Sequence, residues 1–109
     1  MKMNAKEEFL KAIDKKPDVL CAQIDILSLH TFAVDKVLEL PVGYTLEQYN
    51  QFLEDLDFHY DGGYGIQQLE GTIWMINGEW IERDEYDGSE WWSYKKCPLI
   101  PGNLNYLNC

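Results

Sequence analysis

The chain has 109 residues, with 19 Asp plus Glu against 9 Lys plus Arg, a formal net charge of −10. That length fits one domain, and a 46% hydrophobic, 14% aromatic composition supplies a core, which excludes a disordered chain. The balance also excludes direct binding to nucleic acid or an anionic membrane, because phosphate contacts need clustered Lys and Arg.

Residues 5–15 read as a short helix. Asn4 caps it, with Glu7 as the partner three residues on, and Phe9, Leu10 and Ile13 form its apolar stripe before Pro17 stops it. Asp18 to Leu27 alternates, with Leu20, Ala22, Ile24 and Ile26 on one side, which predicts a strand. Val37 to Leu40 is a shorter strand with Leu38 and Leu40 on one face, and the stretch from Ser28 to Lys36 is ambiguous.

Pro41-Val42-Gly43 breaks the chain, and a second helix follows. Thr45 is its N-cap, Gln48 the capping-box partner, and Tyr44 with Tyr49 the hydrophobic staple. Leu46, Tyr49, Phe52, Leu53 and Leu56 recur at helical spacing and predict one buried face.

A turn at Asp61 to Gly65 leads into a strand from Ile66 to Ile76, then Asn77-Gly78, then a strand from Glu79 to Tyr86. Asn-Gly predicts a two-residue type I′ hairpin, because both of its central residues need positive φ. That turn sets Ile76 opposite Glu79, Met75 opposite Trp80 and Trp74 opposite Ile81. One face then carries Leu69, Ile73, Met75, Trp80 and Tyr86, and the other Trp74, Ile76, Ile81 and Arg83. Asp87-Gly88 allows a second hairpin into a strand over 90–95, with Trp91 on one face and Trp92 and Tyr94 on the other.

The fold expected is α+β: an antiparallel meander over about 66–95, an additional N-terminal strand pair, and two short helices on one face. Residues 1–109 form a single domain: helix and strand over 1–36, an acidic aromatic unit over 37–97, and a tail over 98–109. The first sixteen residues lack the apolar run of a signal peptide, and no apolar run is long enough to span a membrane. Cys21, Cys97 and Cys109 show no CxxC, which reads as reduced thiols.

The charge is concentrated. Residues 37–94 hold 13 acids, one base (Arg83) and 12 of the 15 aromatics. Arg83 is expected to clamp Glu85 or Asp84, or to stack on Trp92. Asp57 to Gln68 resembles a calcium loop but has His59 at position three and Gln68 where the bidentate Glu belongs, so a tight turn is expected and no metal. Gly62-Gly63-Tyr64-Gly65 lacks the Lys and hydroxyl of a phosphate loop. The acids of 82–90 could serve glycoside hydrolysis, or Asp57, His59 and Asp61 another hydrolysis, but a solvated charged surface is the simpler reading of each. No catalytic residue and no cofactor is assigned.

The segment Leu40-Pro41-Val42-Gly43-Tyr44-Thr45 is followed by Leu56-Asp57-Phe58, Tyr60-Asp61, Gly63-Tyr64-Gly65 and Gly71-Thr72-Ile73-Trp74. Glu85-Tyr86-Asp87-Gly88-Ser89-Glu90-Trp91-Trp92 and Cys97-Pro98 complete the pattern, which over roughly 37–101 resembles small proteins of tailed bacteriophages and prophages. The resemblance implies a phage-type accessory protein in the host bacterial cytoplasm and transfers no chemistry. The expected function is non-enzymatic binding of a host protein with a basic surface, in its strongest form as an acidic DNA mimic. Self-association is the structural alternative, and a Trp/Tyr platform for a sugar or nucleobase the functional one. The residues expected to meet a partner are Trp74, Glu82, Asp84, Glu85, Asp87, Glu90, Trp91, Trp92 and Tyr94.

Overall fold

The computed structural model describes residues 2–28, 33–61 and 67–97. In chain order the elements are β1 (Lys2–Asn4), α1 (Ala5–Ile13), β2 (Val19–Leu27), β3 (Val34–Leu40), α2 (Leu46–Asp55), β4 (His59–Asp61), β5 (Leu69–Met75), β6 (Trp80–Tyr86) and β7 (Ser89–Lys95). Five strands form one antiparallel sheet of order β3-β2-β5-β6-β7, and β1 pairs with β4 in a separate two-stranded ribbon. The fold is α+β, with the meander extended by the N-terminal strand pair. The β1–β4 ribbon was not foreseen, because three-residue strands are too short to show a period.

Both helices begin as their caps dictate. The Asn4 side chain accepts from the Glu7 N–H at 2.9 Å. Thr45 and Gln48 form a full capping box, and the Tyr44 and Tyr49 rings stack at 5.8 Å. The helices meet through Phe9 and Phe52, edge to face at 5.4 Å. Below them lie Ala22 and Ile24 of β2, Leu38 and Leu40 of β3, Leu69, Ile73 and Met75 of β5, and Ile81 of β6. Leu46 departs from the expected helical stripe and is 75% exposed, since it stands at the first turn beyond the edge of the core. Leu20 is also exposed rather than in line with Ala22 and Ile24, because the register shifts between Val19 and Cys21 and turns Val19 inward instead.

The first hairpin differs from expectation by one residue. Ile73 faces Ile81 and Trp74 faces Trp80. The Gly78 N–H donates to the Met75 carbonyl at 3.1 Å and the Met75 N–H to the Glu79 carbonyl at 2.9 Å. Gly78 has φ +89, whereas Asn77 is not among the residues with positive φ. This is a three-residue loop, a type I turn closed by a left-handed glycine, and not a type I′ turn. A slip of one exchanges the faces of the whole strand. Ile81 and Arg83 therefore join Leu69, Ile73 and Met75 on the inner face, while Trp80 joins Trp74 outside. The second hairpin is as expected: Asp87 (φ 50) and Gly88 (φ 85) form a two-residue loop with Tyr86 opposite Ser89.

The Gly62–Gly65 turn, Ile66 and the tail from Pro98 lie outside the described residues. Cys21 is a free thiol, but Cys97 is disulfide-bonded, so the reading of three reduced cysteines does not hold for Cys97. Among the described residues no helix is long and apolar enough to cross a membrane.

Candidate functional site

The corrected register divides the expected contact residues among three places. Trp74, Glu82, Asp84 and Trp91 share the outer face of the sheet. Glu90, Trp92 and Tyr94 lie on the inner face, with Arg83. Glu85 and Asp87 are exposed at the β6–β7 turn, where a Glu85 oxygen accepts from the Gly88 N–H at 3.4 Å.

The outer face can be read across the ladder. One row runs Cys21, Trp74, Trp80, Lys95; the next runs Glu39, Gln23, Thr72, Glu82, Ser93. Beyond it Val37 pairs with Asp25 and Asp25 with Glu70 on one side, while Asp84 pairs with Trp91 on the other. None of these side chains is buried, and no described element packs over them. Trp74 and Trp91 are 43% and 42% exposed. The Trp80 indole donates to Glu82 at 2.7 Å and the Trp91 indole to Ser93 at 2.9 Å, each to the residue two along on the same face. Their ring orientations are thereby set before anything binds.

The same face is electrostatically structured. Lys95 bridges Glu82 at 3.0 Å and Asp84 at 3.3 Å. Hydrogen bonds from Lys95 and Trp80 hold the Glu82 carboxyl below its ordinary range, and those of Ser93 and Lys95 do the same for Asp84. Glycoside hydrolysis needs one carboxyl raised so that it can donate a proton. This pair is shifted the opposite way and suits ion pairing. Asp25 directly opposite Glu70 sets two acids side by side, an arrangement that costs folding energy and strengthens the negative field above the sheet.

The inner cluster is a buried ion-pair network. Arg83, 8% exposed, donates through Nε and Nη2 to Glu90 Oε1 at 3.0 and 2.7 Å. Its Nη2 also donates to the Tyr60 hydroxyl and lies 3.5 Å from Glu8 Oε1, and the Tyr60 hydroxyl donates to Glu8. Glu90 further accepts from the N–H groups of Gln68 at 2.7 Å and Leu69 at 3.0 Å, which ties β7 to the start of β5. The guanidinium lies 5.0 Å from the Trp92 ring, as the sequence suggested, but its carboxylate partner is Glu90 rather than Glu85 or Asp84. Burial alone would lower the Arg83 pKa, yet Glu8 and Glu90 more than offset it and the value rises. Burial, with the Glu8 carboxylate on its hydroxyl, pushes the Tyr60 phenol far above its ordinary value. Tyr94 is pinned on this side by Glu79 and by Lys16, whose Nζ lies 4.4 Å from its ring.

Sequence reasoning missed Trp80 and Lys95 as members of the outer face. The sequence allows both turns: Ile76, before Asn-Gly, can end the strand or serve as a loop residue, and the second choice lengthens the turn by one. Asp57, His59 and Asp61 are all exposed, and Asp57 and Asp61 tie this segment to β1, with Asn4 to Asp57 at 3.0 Å and Lys2 to Asp61 at 4.0 Å. Among the described residues no group of three or more His, Cys, Asp or Glu is placed to hold a metal. No protein-family model matches the chain, and no curated protein and no solved structure matches it either.

Proposed function

We propose that the protein is a non-enzymatic binding module that presents the outer face of its sheet to a protein with a basic surface. The observation that carries this reading is a sheet face that no described element covers, holding Trp74, Trp80 and Trp91, two of them oriented by their own indole bonds, among the carboxylates of Asp25, Glu39, Glu70, Glu82 and Asp84. Pre-oriented tryptophans lose little freedom on binding and are the residue type richest in hot spots. Acids around them steer a cationic partner and make the association salt-sensitive. The aromatic interruptions, and the neutralisation of Glu82 and Asp84 by Lys95, favour an aromatic patch with an acidic surround over a continuous DNA-like ridge. A phage-type accessory role in a host cytoplasm rests on the sequence resemblance, and the Cys97 disulfide does not add to it.

Capture from a bacterial host lysate tests the reading when run in parallel with the wild type, Trp74→Ala/Trp91→Ala, and Leu46→Ser on the far side of the molecule. A partner held by the wild type and by Leu46→Ser, lost with the tryptophans and weakened at high salt, is the expected result. Retention by the tryptophan variant argues against this face. The small-ligand reading predicts quenching of tryptophan fluorescence by free sugars or nucleobases.

A further inference from the structure

The five-stranded sheet ends in two unlike edges. At one, β3 shifts register against β2 between Ile26 and Leu27, and Lys36 ties it to Asp55 of α2 at 3.7 Å. At the other, β7 is seven residues long, contains no proline and keeps its register against β6 throughout. Among the described residues nothing pairs with its outer side. Such an edge is a template for another strand unless it is broken or covered. The two-residue loop makes Tyr86 and Ser89 a hydrogen-bonded pair, so alternation turns the N–H groups of Glu90, Trp92 and Tyr94 toward the open side. The uncompensated charge beside this edge changes sign along the strand. At its N-terminal end Glu85 stands directly opposite Glu90, and Arg83 is engaged with Glu90 and Glu8. Glu85 and Asp87 are both exposed, and among the described residues neither is paired with a cation. At the C-terminal end Lys95 is engaged with Glu82 and Asp84. Lys16, over the Tyr94 ring, and Lys96 are exposed, and among the described residues neither is paired with a carboxylate.

We infer that β7 pairs antiparallel with the β7 of a second copy of this chain and joins the two five-stranded sheets into one. Overlap of the whole strand sets Trp92 opposite Trp92, Glu90 opposite Tyr94 and Ser89 opposite Lys95. The outward amides of Glu90, Trp92 and Tyr94 then all bond across the two-fold axis. On the inner face one row runs from Tyr94, with Lys16 on its ring, to Glu90 and then Glu85 of the second copy. Lys96 comes opposite Gly88 of the second copy, next to Asp87. Antiparallel pairing thus sets each basic end against an acidic one, twice by symmetry, whereas parallel pairing sets like against like. The centre is carried by Trp92, beside the depression that it lines with Met3 and Ala12, with Glu8 and Lys11 on the rim. The overall charge of −10 repels two copies at distances that salt screens, beyond about 8 Å at physiological ionic strength, while the end charges meet at contact. The inference goes beyond the protein-binding reading above and leaves the outer face open in both copies.

The test is sedimentation equilibrium of the full chain, with amide hydrogen exchange followed as its concentration rises. The expected result is a mass of two chains that falls to one on dilution. Exchange at the Glu90, Trp92 and Tyr94 amides should slow in step with the dimer. Lys16→Glu and Glu85→Lys, both at exposed positions, should each weaken association at least about tenfold, since symmetry counts each change twice. The double variant Lys16→Glu/Glu85→Lys restores opposite charges across the axis and should recover most of that loss. The mass of a single chain up to millimolar concentration overturns the proposal. So does a dimer whose three edge amides exchange at the monomer rate, or a double variant no stronger than either single one. None of these outcomes touches the sheet-face reading, which depends on the tryptophan variant in the capture experiment.

Discussion

Two residues bear more of this structure than their neighbours, and each does so by a different physical mechanism. Gly71, at φ +142, lies opposite Ile24 of β2, and a Cβ built on it would come within 2.2 Å of the Gln23 carbonyl oxygen. Gly71→Ala is expected to cost about 3 kcal/mol or more, read from the urea midpoint, because both the backbone angle and the clash must be relieved by moving a strand. Arg83 is held by a network. Arg83→Met leaves Glu90 buried beside only its two N–H donors, and should cost about 3–5 kcal/mol, whereas the double variant with Glu90→Gln should recover part of that loss. Additive losses in that cycle would contradict the coupling. Tyr60 gives the network a pH signature. Its pKa is raised in the folded state, so its contribution is fully present below the ordinary phenol value and fades as the pH rises above it. Wild-type stability should therefore decline above about pH 10, the model-peptide value, and Tyr60→Phe, less stable at neutral pH, should show a shallower decline.

At the scale of elements, local chemistry explains the helices and half of the hairpins. Thr45→Ala removes one side of a complete capping box and should lower stability by about 1 kcal/mol. The turn between β5 and β6 decides more than its size suggests. Deleting Ile76 would leave Asn77-Gly78 as a two-residue loop between Met75 and Glu79 and keep Trp74 opposite Trp80, so Ile81 and Arg83 would stay on the inner face. That variant should keep its dispersed amide spectrum, and its loss would contradict the pairing of Met75 with Glu79, while Leu46→Ser should change stability by less than about 0.5 kcal/mol. The capping box, the staple, the Asp87-Gly88 hairpin and the inward pair Leu38 and Leu40 were all legible, because each is a short-range rule acting within a few residues. The first hairpin was not, because Asn-Gly serves both a type I′ turn and a type I turn closed by the glycine, and the choice depends on which register buries Ile81 against β5.

For the whole molecule, the main result is an asymmetry between two sheet faces, both aromatic in sequence. The helices cover one, and no described element covers the other. The acid-rich outer face is held together by Lys95, with Glu82 and Asp84 depressed below the ordinary carboxylate range. Depressed carboxylates contribute above their unfolded pKa and lose that contribution as the pH falls through the folded value. The Trp80 and Lys95 side-chain resonances should therefore move together below about pH 4, the ordinary carboxylate value, and Lys95→Met should shift that transition upward. Independent movement of the two would dissolve the cluster as a unit.

The sequence by itself determined the class of fold, both helices with their caps, the inward Ala22 and Ile24 of β2 and Leu38 and Leu40 of β3, and the concentration of charge and aromatics in 37–94. These follow from periodicity, capping and composition, which act locally or are sums over residues. Tertiary structure alone decided which tryptophans face outward, which carboxylate pairs with Arg83, and that Glu90, Trp92 and Tyr94 belong to the interior. The physical reason is the two-residue period of a strand: a one-residue difference in a turn leaves every local preference satisfied and reverses every side chain beyond it, and only burial against the rest of the molecule selects between the two.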